Sequence, residues 1–410
     1  MPDAPALTPR RERAMLLTLA AVQFVHIVDF MVMMPLGPQL TRIFGISDAQ
    51  FGLLISAYTL AGGASGLAAT TYIDRFERRR LLLMLFAGLA VATLACGLAP
   101  TFTTLMAARV AAGLFGGVLG ALVQTIVADT IPFERRGAAM GIVMSAFSMA
   151  TVAGVPASLW LASLYGWHMP FVAIASVSVL VWTLALRQVP TLTGHLGPKQ
   201  TAEGTLHHLR AVLAERNHWR AFGLSMLMMA SSFAMIPYIT IFTTTNLGLT
   251  AQQVPLIYLI GGVATLFTAR LWGRLADQWG KVPTFRLIAL LALVPILTLP
   301  QLAGVSLVGV LVVTTLFFVL VSGRMVPGMA LITSAVEPRR RGAFMSLNNA
   351  LQSAAMGVAS LLGGLMISRD AQGLVHGYER TGWLALGCTV AMVWLVGRLR
   401  VVAGNRAAAT

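Results

Sequence analysis

Residues 72–81, YIDRFERRRL, return in outline half a chain later as residues 274–282, RLADQWGKV, and residues 133–141, FERRGAAMG, return as residues 337–346, EPRRRGAFMS. Asp74 and Asp277 are 203 residues apart, Gly137 and Gly342 are 205 apart, and half of the 410-residue chain is 205. A shared offset near half the length means that one unit was duplicated along the whole chain rather than decorated locally.

Between these repeated signatures the sequence is close to pure hydrocarbon. Apolar residues make up 57% and charged residues 10%, with a mean hydropathy of +0.80, more apolar than a water-soluble core requires. A bilayer core needs about 20 apolar residues per helix, and runs of that length recur twelve times. The expected spans are 14–36, 51–73, 81–99, 104–130, 138–163, 169–187, 219–242, 253–276, 283–301, 305–333, 342–367 and 381–400. The fold class is thus an all-α membrane protein. It divides into a first bundle over 1–187, a polar linker over 188–218 and a second bundle over 219–410. Of the 29 Lys and Arg residues, 23 fall in one set of alternating segments, and only Arg42, Arg369 and Arg380 fall in the opposite loops. The positive-inside rule then puts both termini and the linker in the cytoplasm, in a cytoplasmic (inner) membrane. The net charge of +15 is topological and implies no nucleic-acid partner. The basic stretch ahead of the first apolar run lacks a small-residue cleavage site, so that run is expected to stay as span one. Cys96 and Cys388 both sit inside apolar runs and read as packing residues.

Two signatures resemble those of one known family, and a third stretch departs from its pattern. TTYIDRFERRR (70–80) is similar to a Gly-x-x-x-Asp-Arg-x-Gly-Arg-Arg signature, with Thr70 and Glu77 in place of its glycines; Gly273, Asp277, Gly280 and Lys281 follow it more closely. LMAARVAAGLFGGVLGALVQ (105–124) carries Arg109, Gly113 and Gly117 at the spacing of a second signature. ATVAGVPASLWLA (150–162) keeps a kink-forming Pro156 but lacks the paired glycines common in antiporters. On these stretches the chain resembles the major facilitator superfamily, within its twelve-span drug:proton antiporter and sugar-efflux branch. The resemblance implies two pseudo-symmetric six-helix bundles, a midplane site and alternating access. It also implies that Asp74, Arg78 and Asp129, with Asp277 and Lys281 in the second half, form a conformational latch. The other reading of these charges is ordinary positive-inside residues.

An ionised side chain inside a span costs several kcal/mol unless it is paired or hydrated, so each one is a functional candidate. Asp29, in AAVQFVHIVDFMVMMP (20–35), lies about 10 Å below the span end marked by Pro35 or Pro38, at 1.5 Å per residue. Arg109 enters span four from the same face at a similar depth. Two readings follow: a carboxylate whose proton competes with substrate, or a permanently ionised tie to Arg109. His26, one turn before Asp29, either tunes its proton affinity or packs. Arg324 interrupts span ten in FVLVSGRMVPGMAL (318–331); it either meets an anionic substrate or anchors to carbonyls freed by Pro327.

Span seven, SMLMMASSFAMIPYITIF (225–242), supplies Met228, Ser232, Met235 and Tyr238 as cavity candidates, and span one adds Phe30 and Met33. Methionine tolerates variable ligand shapes, which favours apolar or amphipathic cargo, although it also serves as filler. Gln124, Asn348 and Gln352 are further polar candidates. There is no GxxxxGK[ST], CxxC, HExxH or GxSxG segment, so no enzyme activity and no cofactor are expected, and the energy comes from a gradient. The expected function is proton-coupled efflux of a small molecule by a monomer in the bilayer. The rivals are a symporter or uniporter of an organic anion and, in another class, a non-transporting membrane receptor.

Overall fold

A computed structural model describes residues 8–193, 212–337 and 340–402, except for the side chains of Asp74, Phe133 and Glu134. Most of the expected linker, residues 194–211, lies outside the described residues, as do Arg339 and the chain from 403. The described residues are nearly all helical. Where hydrocarbon replaces water, only an α-helix or a closed barrel satisfies every backbone group, and the apolar runs here are long enough for the former.

Two compact units divide the chain: Met1–Met33 with Ala57–Thr205, and Met34–Ser56 with Leu206–Thr410. The short segment Met34–Ser56 counts with the second unit, a grouping that a division at 187 and 219 does not include. The first unit holds α1 (Pro9–Val32), the later part of α3 (Asp48–Tyr72), α4 (Arg78–Gly97), α5 (Phe102–Thr130), α6 (Phe133–Met149), α7 (Val155–Tyr165) and α8 (His168–Gln188). The second holds α2 (Gly37–Phe44), the start of α3, α9 (Arg216–Phe233), α10 (Ile239–Thr245), α11 (Val254–Trp279), α12 (Lys281–Thr298), α13 (Leu307–Gly323), α14 (Met325–Ser334), α15 (Arg341–Met366) and α16 (Tyr378–Val396). A two-residue hairpin, β1 (Ser368–Arg369) with β2 (Val375–His376), joins the last two helices.

Ten stretches among the described residues are long and apolar enough to cross a membrane. The other two expected spans are helices too, α15 and α16. Asn348, Asn349 and Gln352 dilute the apolar character of α15, and Glu379 and Arg380 open the short α16. Span one runs earlier than expected, starting at Pro9, whose missing N–H costs nothing at a helix start. Prolines break three spans. A π-turn at Ala150–Gly154 precedes Pro156 in span five, a 3₁₀ turn at Ile236–Tyr238 contains Pro237 in span seven, and span ten divides between α13 and α14 near Pro327. Sequence reading anticipated the kink at Pro156 and the carbonyls freed by Pro327, and gave no break at Pro237.

Glycines set the closest helix approaches in the first unit. A Cβ on Gly117 would run into the backbone of Gly62, whose Cα would lie 2.5 Å away, so α3 and α5 meet backbone to backbone. In the second unit the Arg369 guanidinium grips Asp48 with two bonds, 2.8 Å from Nε to Oδ2 and 2.7 Å from Nη2 to Oδ1, and Nη2 also donates to Thr41 Oγ1 at 3.4 Å. The Tyr238 hydroxyl donates to the Ser360 carbonyl, packed against Gly52 and Gly364. These contacts hold Met34–Ser56 in that unit.

Candidate functional site

Asp29 is 0% exposed on α1, one turn before the helix ends at Val32. Its Oδ1 accepts from the Thr93 hydroxyl of α4 at 2.8 Å. Arg109, 1% exposed on α5, brings Nη1 to 3.4 Å from Oδ2 and to 3.3 Å from the Asp29 carbonyl oxygen. The same guanidinium carbon lies 4.2 Å from the centre of the Tyr58 ring of α3, and Phe30 stacks on that Tyr58 ring with centroids 5.3 Å apart. Thus four helices converge on one carboxylate–guanidinium pair. The pair is long for a charge-assisted bond, so cation–π contact and the backbone carbonyl share the neutralisation of Arg109. Breaking such a pair by removing one member strands the other charge in low dielectric, at a cost of about 3–5 kcal/mol.

His26 sits one turn from Asp29 with Nδ1 buried and without a hydrogen-bond partner. A Cβ on Gly116 would lie 2.8 Å from Tyr58 Oη and 3.2 Å from His26 Nε2, so that glycine lets both polar groups approach α5. Tyr58 Oη and Gln23 Oε1 are likewise buried without partners. Sequence reading named Asp29, Arg109 and His26 but missed Thr93 and Tyr58. A threonine in an apolar helix carries no pattern of its own; Tyr58, a hydroxyl ahead of Gly62 in an apolar run, offered a faint one.

At the other end of the first unit, Arg78 Nε lies 3.2 Å from Asp129 Oδ2, and Arg78 Nη1 donates to the Ile73 carbonyl at 2.7 Å. Asp74 lies in the 3₁₀ turn Ile73–Arg75, and its side chain is outside the description. Glu77, where the family signature has glycine, caps α4 by accepting from the amides of Arg79 at 2.8 Å and Arg80 at 2.7 Å, and from that of Leu192 at 2.9 Å. In the second unit, Gly280 opens α12 at φ +88°, a conformation that suits glycine. There Asp277 is exposed, and neither it nor Lys281 makes a side-chain ion pair or hydrogen bond among the described residues. Thr284 instead ties that turn by donating to the Leu275 carbonyl at 3.2 Å.

The expected cavity residues are distributed over both units. Phe30 and Met33 lie on α1 or at its end, and Gln124 is exposed on α5. In the second unit Met228, Met235, Tyr238, Arg324 and Asn348 are fully buried between helices, Ser232 nearly so, and Gln352 is half-buried against the Met329 sulfur. Asn348 Oδ1 accepts from Ser225 at 2.6 Å, and its Nδ2 has no partner. Arg324 donates from Nη2 to Ser232 Oγ at 3.1 Å and to the Met228 carbonyl at 3.3 Å, and from Nη1 to Thr389 Oγ1 at 3.5 Å. It therefore anchors to a carbonyl of α9 and not to one freed by Pro327. A separate apolar cavity of about 280 Å³, lined by Met226, Leu227 and Ala230 of α9 with residues of α15 and α16, includes none of the expected lining residues.

The family model of the Major Facilitator Superfamily matches residues 19–360. An uncharacterized MFS-type transporter of Bacillus subtilis, YtbD, is 26% identical over 386 residues, covering 92% of this chain and 94% of that protein. The inner membrane transport protein YdhP of Escherichia coli is 27% identical over 271 residues, covering 66% of this chain and 68% of its own length. Among solved structures, a bacterial homolog of the human lysosomal transporter Spinster superposes with a TM-score of 0.72 at 19% identity, covering 96% of this chain and 95% of that one. With a family match over most of its length and the same fold, the chain belongs to the major facilitator superfamily, as a multi-pass membrane transporter that moves small molecules by alternating access.

Proposed function

We propose that the chain is a proton-coupled exporter of small apolar or amphipathic compounds, with both termini in the cytoplasm, Asp29 as the proton carrier and Arg109 as its modulator. The observation that carries this reading is the buried Asp29–Arg109 pair, an acid 0% exposed and held among Thr93, Tyr58 and a cation 1% exposed. Such a pair has two electrically distinct states. Ionised, Asp29 neutralises Arg109; protonated, it leaves Arg109 to the Tyr58 ring and the Asp29 carbonyl, a cost that cargo binding or a change of access can offset. His26, with one ring nitrogen buried and unpartnered a turn away, lies where it can exchange a proton with Asp29. Arg78 with Asp129, joined by Asp74, serves as the latch between access states, with Asp277 and Lys281 as its second-half counterpart.

Proteoliposomes with an imposed pH gradient test this reading against a panel of lipophilic fluorophores. The wild-type chain moves a responsive fluorophore against its gradient, and Asp29→Asn only equilibrates it. Uphill movement by Asp29→Asn removes the proton role. One observation favours a second reading, uptake of an organic anion: Arg324 is buried, and no carboxylate among the described residues partners it. Under a reversed pH gradient, export and uptake respond with opposite sign.

A further inference from the structure

Span ten breaks at its only charged residue. α13 ends at Gly323 and α14 begins at Met325, because Pro327 has no N–H to close the i+4 bond onto the Gly323 carbonyl. Arg324 stands at the break, 0% exposed, with its Nε lacking any hydrogen-bond partner. A second donor lies at the preceding residue of the break: Trp272 Nε1 of α11 is buried and unpartnered, and is 2.6 Å from where a Cβ on Gly323 would be. The acceptors that Arg324 reaches are neutral. Ser232 Oγ donates onward to the Met228 carbonyl at 2.9 Å, and Thr389 Oγ1 donates to the Ala385 carbonyl at 2.7 Å, so both hydroxyls turn lone pairs to the guanidinium. No carboxylate reaches Arg324 among the described residues.

A buried guanidinium of this kind is strongly unfavourable until an anion meets it, and a bidentate carboxylate matches its fork best. The half-chain repeat shows what is missing. Ser232 is 203 residues beyond Asp29, the offset that relates Asp277 to Asp74. The first unit thus supplies its buried arginine with an internal carboxylate, and the second has a hydroxyl at the repeat-equivalent position. Methionine 228, flexible and packed on Gly328, and the broken helix itself are the parts that can yield to admit a ligand.

We propose that the break in span ten is a recognition point for the anionic head group of the transported compound, so that the cargo is an amphipathic organic anion whose carboxylate pairs with Arg324 beside Trp272. This deepens the transporter reading and is independent of proton coupling through Asp29.

The full chain in nanodiscs of zwitterionic phosphatidylcholine, at one pH and without a gradient, tests it by thermal unfolding and tryptophan fluorescence. The probes are naphthalene-2-carboxylate, its carboxamide and 2-naphthylmethylammonium, three head groups on one apolar body. The carboxylate raises the unfolding midpoint of the wild-type chain most. Arg324→Gln weakens its apparent affinity at least about tenfold, the loss expected for a charge-assisted bond. Ser232→Asp supplies the carboxylate internally, so it raises the midpoint without ligand and abolishes the preference for the carboxylate probe. Asp29→Asn keeps that preference even if coupled transport is lost, which separates failure here from failure of the proton scheme. The proposal is overturned if the wild-type chain gives no shift or equal shifts with the three probes, or if the carboxylate preference survives in both Arg324→Gln and Ser232→Asp. It is also overturned if phosphatidylglycerol in the nanodisc removes the preference, since a lipid head group is then the anion.

Discussion

Arg109 and Arg324 are a matched pair of opposites. Each is buried to within 1%, each lies on the fourth span of its half, and each reaches the first span of that half, α1 or α9. The arginines themselves are 215 residues apart, out of register with the 203 to 205 of the repeat, yet the side chains they reach, Asp29 and Ser232, keep the 203 offset. One guanidinium ends on a carboxylate, a carbonyl and an aromatic face; the other ends on two hydroxyls and a carbonyl, and Nε is without a hydrogen-bond partner in both. A duplicated scaffold can hold the same buried charge in two regimes, and the identity of one residue on the first span decides which. Where the residue is Asp the charge is answered from within; where it is Ser the charge is left to be answered by something else.

The contrast makes the two halves respond differently to mutation. Asp29→Ala strands Arg109 and costs about 3–5 kcal/mol of stability. Unfolding in a bilayer mimic measures it, and Asp29→Ala with Arg109→Leu regains most of the loss in a double-mutant cycle. A single-mutant cost below about 1 kcal/mol breaks the comparison at its root. Next in size is the packing contrast. Gly117→Ala forces a Cβ into the Gly62 backbone and costs about 1–3 kcal/mol, whereas at Gly328 the new atom meets the movable end of Met228, with Cε at 2.7 Å and Sδ at 2.9 Å, and the cost is less than half as large. Equal costs in the same assay erase that difference. Arg324→Met removes a charge that has no carboxylate partner among the described residues, so stability stays within about 1 kcal/mol of the wild-type chain or rises. A loss as large as that of Asp29→Ala would make Arg324 an internal tie like Arg109.

The smallest effect concerns the hairpin of the second unit. The hydrogen bond with His376 at 2.8 Å holds the Asp370 carboxyl below its ordinary range, with the amides of Leu374 and Gln372 adding to the shift. A depressed carboxyl contributes stability that is present above its unfolded pKa and is lost as pH falls through its lower folded value. His376→Ala therefore moves the Asp370 titration upward toward the ordinary carboxylate range, readable by NMR, with little change in unfolding because the group is exposed.

Much of the architecture was legible because hydrocarbon leaves a chain few choices. Twelve apolar runs and the repeated charged turns required helices of bilayer length, and residues 9–32, 78–97 and 168–188 lie where those runs do. Helix breaks were harder to read. Pro156 sat in a family signature and Pro237 and Pro327 did not, although all three lack the same N–H. The deep acid and base of the first unit were visible as charges in oil, and their similar depths followed from the helical rise. Their contact was one of two readings the depths allowed, whereas Thr93 and Tyr58 were not visible, because their roles depend on how α3, α4 and α5 rotate about their own axes. Glu77 looked like a lapse from the family signature until its carboxylate was seen capping α4.

The sequence by itself determined the solvent, the helices, their number and the duplication, because those depend on composition, run length and offset, which are properties of a line. Which buried charges are answered and which are left open was decided only by tertiary structure. A counterion acts over a few ångströms, and residues 80 or 92 positions apart, such as Asp29 with Arg109 or Ser232 with Arg324, come within that range only when helices pack side by side.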